Sequence, residues 1–416
     1  MTEASRRGER APRPPPQLSA FLEMGFRPLY LGGSFWAAAA LALWVFWPAA
    51  LRGVLNGVSW HAHEMLWGFV AAVAVGFLLT AVSTWTGTHP LAGRSLAVLC
   101  LLWLSARVGF LAPGATAFLL ASACELAFFT GASVAIGRAV YSTRSRRNYG
   151  VPLLVLGLGL GDAWFLWAVA TEQYTFGRQL FGAALFGMTL LALLVARRVI
   201  PFFAMRTVPG LKIPMHTRSG QWQLAAGSLA IACSLWSAPR ASAVFLAAAG
   251  GIAMVQLAAW KPWSVRHVPM LWILYVGYAA LGAGLWVAGW QLAGWPSAGN
   301  VRAAWPVHLI AVAGFSVLII GMITRTALGH LGRPLKTDGA IVGCYVLIIT
   351  AAVLRLLALL PSTLAPVVLQ ASAGAWIGAF GIYIYRFAPL MTRPRPAATK
   401  PAQDGELPAP SIKTSR

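Results

Sequence analysis

Apolar residues run through this chain in long blocks, and the polar residues gather between the blocks instead of alternating with them. A helix needs roughly 20 mainly apolar residues to cross a bilayer. Cutting the chain wherever Pro, Gly, Arg or Lys clusters interrupt the runs gives twelve such segments. They are Leu29 to Ala50, Ala62 to Ser83, Leu96 to Ala112, Thr116 to Val140, Val151 to Thr171, Arg178 to Ile200, Gln221 to Ala238, Ser242 to Trp260, Val268 to Gly289, Ala304 to Ile323, Ala340 to Leu360 and Ala365 to Phe387. The pattern predicts an all-α, polytopic integral membrane protein of about twelve transmembrane helices within residues 26–388. The flanks, residues 1–25 and 389–416, are rich in Pro, Arg, Ala and Ser with no apolar run to pack, which predicts disordered tails.

Composition agrees with this reading: 58% of the 416 residues are hydrophobic and only 10% charged, a balance that no soluble core can bury. The formal charge of +22 sharpens it. With the N-terminus cytoplasmic and strict alternation, the cytoplasmic side receives Arg27, the Arg138 to Arg147 group, the Arg197 to Arg218 group, Lys261, Arg266, Arg325, Arg333, Lys336 and both basic tails. The outer side keeps only Arg52, Arg178, Arg240 and Arg302. That bias is the positive-inside rule and predicts both termini inside. It also removes the usual alternative for so basic a chain, nucleic-acid binding, because the bases are scattered over many loops with no compact aromatic-basic module.

Ionisable residues at membrane depth are where chemistry is expected, since each is costly unless paired or functional. The densest cluster is Trp60-His61-Ala62-His63-Glu64-Met65, at the outer end of the second segment. On a helix His61, Glu64 and Met65 share a face, while His63 points roughly 200° away from His61. The two imidazoles therefore approach one centre only if the helix starts at or after His61; otherwise they serve two. His308 enters the tenth segment from the same side, so His61, His63 and His308 are candidate metal ligands, with Glu64 a candidate proton-handling group. Imidazole suits haem iron, copper and zinc. Anchoring of helix ends by interfacial His and Trp is the bland alternative. Arg107, Glu125, Asp162 and Arg355 lie at similar depth; Arg107 and Glu125 flank the Pro113-Gly114 turn and are placed to pair across a hairpin. On the cytoplasmic side, Thr324-Arg325-Thr326-Ala327-Leu328-Gly329-His330 with Arg333 offers a second ligand site or an anion clamp, or else simple basic flanking. A continuous helix puts His330 about 33 Å from His308, too far for one centre. Cys100, Cys124, Cys233 and Cys344 form no C-x-x-C-H motif, which argues against covalent haem.

Several motifs, in order, resemble the NnrS family: Phe26-Arg27-Pro28, Trp60 to Met65 with Gly68-Phe69, Gly76 to Val82 followed by Trp85-Thr86-Gly87, Arg147-Asn148, Arg198 to Phe203, His308, and Thr324 to His330 with Gly332-Arg333. The resemblance runs from about Phe26 to Phe387. It departs after Phe202-Phe203, where Ala204 stands in place of the usual asparagine. It implies a multi-pass protein of the bacterial inner membrane that carries non-covalent b-type haem and copper. It also implies a part in the response to nitric oxide and in tolerance of nitrosative stress, often during denitrification. On this footing His61, His63, His308, His330, Arg325 and Arg333 are the expected cofactor residues, and the expected partners are lipid, NO or nitrosylated species, and an unidentified electron donor. The resemblance leaves open whether the metal turns NO over, as an oxidoreductase would, or binds it. A transporter of a metal, haem or a nitrosylated iron complex, using the same histidines, is the reading from another class.

Overall fold

The computed structural model describes residues 14–294 and 304–396, and among these there is no β-strand. Twelve long helices account for nearly all of it. They are α1 Phe26–Phe46, α2 Gly57–Thr86, α3 Gly93–Leu111, α4 Ala115–Ser142, α5 Arg146–Ala170, α6 Tyr174–Thr207, α7 Thr217–Leu235, α8 Pro239–Ala259, α9 Pro269–Leu292, α10 Ala304–His330, α11 Gly339–Leu357 and α12 Ala365–Met391. Each corresponds to one of the twelve sequence segments. Eleven are long and apolar enough to cross a membrane. The exception, α7, carries Arg218, Gln221 and Gln223, yet it packs between α6 and α8 and points the Gln223 amide inward, where Nε2 donates to Ala249 O at 3.2 Å.

Breaks between helices fall where the backbone demands them. Gly114, at φ 94°, turns the chain between α3 and α4, and Pro239 and Pro269 occupy first-turn positions of α8 and α9, where a missing N–H costs nothing. Consecutive helices pack side by side through short connections and so alternate in direction, and α12 closes the ring by packing on α1. Arg27 fastens that closure: Nη1 donates to Met391 O at 3.1 Å and Arg393 O at 2.8 Å, while Gln17 N–H donates to Thr392 O at 2.7 Å. Of the expected tails, residues 1–13 and 397–416 lie outside the described residues, as does Arg302. Residues 14–25 include a short helix, Leu18–Phe21, beside that closure.

Helices α2 and α10 carry the candidate histidines His61, His63 and His308. In α2, 78% of the most apolar stretch is buried, against 33% in the peripheral α3 and α11. Both α2 and α10 change pitch partway, with π-helical stretches over Glu64–Ala71 and Leu309–Ser316. Such single-turn widenings inside α-helices gather at functional sites. The Ser316 hydroxyl bonds the carbonyl five residues back, Ala311 O, at 3.0 Å.

Candidate metal centre

Helix α2 starts at Gly57, before both histidines, so the alternative of two centres is the geometry that results. His63 turns toward α3, α4 and α5. His61 turns toward α1, stacking on Trp44 with ring centroids 5.0 Å apart, and lies within electrostatic reach of His308 and Arg355.

The His63 side is a closed network of five ionisable side chains, none more than 1% exposed. His63 Nδ1 lies 2.9 Å from Glu64 Oε1, and its Nε2 lies 2.9 Å from Asp162 Oδ1 and 3.4 Å from Glu125 Oε2. Arg107 joins the two glutamates, donating from Nη1 to Glu64 Oε2 at 2.6 Å and from Nη2 to Glu125 Oε2. The expected Arg107–Glu125 pair across the α3–α4 hairpin is therefore present. Trp36 Nε1 donates to Glu64 Oε2 at 2.5 Å. Gly68, one turn beyond Glu64, admits this arrangement: a Cβ there would stand 2.7 Å from Glu64 Oε2 and 3.0 Å from Trp36 Nε1 and would collide with Arg107. Phe110, Phe165 and Trp67 enclose the imidazole, with ring centroids 4.8, 6.1 and 5.5 Å away.

One nitrogen of His63 and one oxygen each from Glu125 and Asp162 lie within 4.8 Å of one another, which fits a metal ion. Three buried atoms in this patch, His63 Nε2, Asp162 Oδ1 and Glu125 Oε1, make no hydrogen bond.

On the other side of α2, His308 Nδ1 is 2.8 Å from Ala304 O, which leaves its Nε2 as the free ring nitrogen, and His61 Nδ1 is buried with no partner. Two imidazoles from α2 and α10 thus lie within electrostatic reach of one another and of Arg355. The structure does not bring all three candidate histidines to one point: His61 and His308 share one side of α2, and His63 belongs to the carboxylate cluster.

The candidates at the opposite end are spread apart. Arg325 is buried under Phe203, with its guanidinium carbon 3.9 Å from the ring centroid, and Nη2 reaches Thr207 Oγ1 at 3.5 Å. Among the described residues no carboxylate pairs with it. His330 rests on Phe26, centroids 5.6 Å apart, and Arg333 is exposed.

Sequence reasoning placed Arg107, Glu125 and Asp162 at the right depth but did not join them to His63. Counting charges on that level would have hinted at it, because three carboxylates and two bases in one slab of membrane must find each other. Trp36, which orients Glu64, carried no sequence signal beyond its lying on the preceding helix.

No curated protein matches this chain. The family model for the NnrS protein matches residues 20–395, nearly the whole of it. The chain is a member of the NnrS family.

Proposed function

We propose that this chain is a multi-pass protein of the bacterial inner membrane that serves the nitric oxide response by binding or turning over NO at a histidine-held metal. Its basic face would lie toward the cytoplasm, since Arg27, Arg144, Arg146, Arg206, Lys212, Lys261 and Lys336 cluster at the end where α2 and α10 finish. The observation that carries the reading is that His61 and His308, from two helices, lie within electrostatic reach of each other, with His61 Nδ1 buried and unpartnered and His308 engaged only through Nδ1. Two imidazoles suit haem iron and copper, the metals expected of the family. Haem would be held by this pair without covalent attachment, with Arg355 placed to meet a propionate, and would supply an iron that coordinates NO.

The residues also support delivery of a small apolar gas. A cavity of about 110 Å³ lies between α2, α6 and α10, lined by side chains such as Val73, Phe77, Leu191, Phe315 and Leu318. Cavities of this kind stay dry and admit apolar guests. At the basic face, Arg325 is the residue on which we place an anion-binding role, because no carboxylate pairs with it among the described residues; Arg333 contributes positive potential near it, on the same side as His330.

Optical spectra of purified protein test the reading. Wild type is expected to show a Soret band that shifts when NO is added anaerobically under reducing conditions, and H61A and H308A are each expected to lose it. Protein that carries neither haem nor copper sinks the proposal, and metal retained only in traces favours the carrier reading.

A further inference from the structure

We infer that His63, Glu125 and Asp162 hold a second metal: a divalent first-row cation of the iron(II), manganese(II) or zinc class, at a site separate from the His61–His308 pair and without a soft ligand for copper(I).

Geometry comes first. Ligand atoms about 2.0–2.2 Å from a metal stand roughly 2.8–3.6 Å from one another in octahedral or tetrahedral arrangements. The 2.9 and 3.4 Å separations from His63 Nε2 to the two carboxylates fall in that interval. His63 Nε2 and Asp162 Oδ1, 2.9 Å apart, are both left without a hydrogen-bond partner in a fully buried place. Buried polar atoms are rarely abandoned; a cation beside His63 Nε2 and Asp162 Oδ1 gives both a partner, and Glu125, whose Oε2 already accepts from Arg107, has Oε1 left over to complete the ligand set.

The surroundings are those of a ligand histidine. Metal-bound imidazoles commonly donate their other N–H to a carboxylate, which fixes the tautomer and the ring. Here Glu64 Oε1 stands 2.9 Å from Nδ1, and Glu64 is itself held by Trp36 and Arg107. Glu64 is thus a positioning residue. Charge points the same way. With His63 neutral, the three carboxylates outweigh Arg107 by two negative charges, in a place where net charge is strongly disfavoured. One dication makes the cluster neutral.

The donor set selects the metal. One nitrogen and two carboxylates suit first-row dications that accept oxygen ligands and include no thiolate or thioether of the kind copper(I) favours. Phe110, Phe165 and Trp67 pack around the imidazole and leave no slot for a porphyrin. Haem and copper(I) therefore do not fit here, and the site stands whether or not haem binds at His61.

Full-length protein in detergent, stripped with a chelator and re-equilibrated separately with zinc, manganese(II) and iron(II) salts, is expected to retain about one equivalent of a dication. D162N and E125Q are expected to reduce retention at least tenfold and H63Q to abolish it. E64Q should keep the stoichiometry but weaken Kd by roughly ten- to a hundredfold, an effect of orientation that mere loss of packing does not mimic. H61A separates the two readings, since it removes the Soret band and keeps the dication. Cobalt(II) in wild type should give visible d–d bands that move in E64Q, a readout that stands even if H63Q fails to fold. Wild type with no stoichiometric dication and no cobalt bands overturns the proposal. Retention unchanged by D162N and E125Q overturns it as well.

Discussion

Helices α2 and α10 start from the same face, reach a histidine, His63 or His308, and pass at the next residue into an eight-residue π stretch. Thirteen residues after each histidine stands a glycine, Gly76 or Gly321, and eleven further on another, Gly87 or Gly332, which leaves its helix with φ of 70° or 65°. Even the packing corresponds: a Cβ at Gly76 would meet Leu29 of α1 at 2.8 Å, and one at Gly321 would meet Ile273 of α9 at 2.8 Å, each on the preceding helix. What differs is the charge carried by the common backbone. The His63 region matches Arg107 with carboxylates from two further helices, while the α10 region buries Arg325 against an aromatic ring, with no carboxylate paired to it among the described residues. A widened helical turn thus presents side chains without dictating chemistry; the neighbouring helices supply that.

The sharpest way to break this comparison is to remove each arginine in turn. R107M leaves Glu64 and Glu125 facing each other in the membrane interior, and breaking a buried pair on one side costs about 3–5 kcal/mol. Loss of the monodisperse peak in fluorescence-detected gel filtration, or a large drop in melting temperature, is expected. R325M strands no carboxylate. It gives up a cation–π contact and a weak hydrogen bond, so a change within about 1 kcal/mol is expected. Equal damage from the two variants would mean that Arg325 has an anionic partner after all. The next test addresses the backbone likeness. G76A and G321A each force the preceding helix outward, and overpacking of this kind costs about 1–3 kcal/mol. If the two hairpins are equivalent, the two melting shifts should agree within about 1 kcal/mol.

The smallest effect lies beside these helices, at Asp338, which caps α11 by accepting from Ile341 N–H at 3.0 Å and pairs with Arg386 Nε at 2.8 Å. Partial burial acts to raise its pKa, but the Ile341 hydrogen bond and Arg386 outweigh it and hold the carboxyl below its ordinary value. A depressed folded-state pKa gives stability that is fully present above the unfolded value near 3.9 and is lost as pH falls through the folded one. Because the aspartate side chain is 43% exposed, the pair is worth about 0.5 kcal/mol or less. Melting curves taken from pH 7 down to 3 should show this small loss below about pH 4 in wild type and not in D338N.

The helices were legible because hydropathy at membrane length is a strong signal, and Pro113-Gly114, Pro239 and Pro269 mark their ends plainly. Least legible was α7, where Arg218, Gln221 and Gln223 dilute the apolar run because two of its polar groups turn toward neighbouring helices instead of lipid. In the site, both depth and direction could be read along α2: the roughly 200° between His61 and His63 is what sends them to opposite sides. Hidden from sequence was the order of helices around α2. Nothing in a run of Gly, Leu and Ala announces that α5 will bring Asp162 to His63, or that α11 will bring Arg355 toward His308. Contacts between helices in lipid depend on small residues and local shape, which hydropathy does not record. The likeness of α2 and α10, by contrast, was available in the spacing of His63, Gly76 and Gly87 against His308, Gly321 and Gly332; lacking any overall similarity between the halves, it is visible only when two single helices are compared.

The bond from Arg27 to the end of α12 has a consequence for synthesis. Arg27 emerges from the ribosome early, yet its acceptors, Met391 O and Arg393 O, are among the last peptide groups made. For most of translation this arginine at the head of α1 has only Glu23 to satisfy it, so the ring stays open until the final helix arrives. A nascent chain stalled before α12 would present an unsealed seam between α1 and α11, a surface that the finished protein no longer shows.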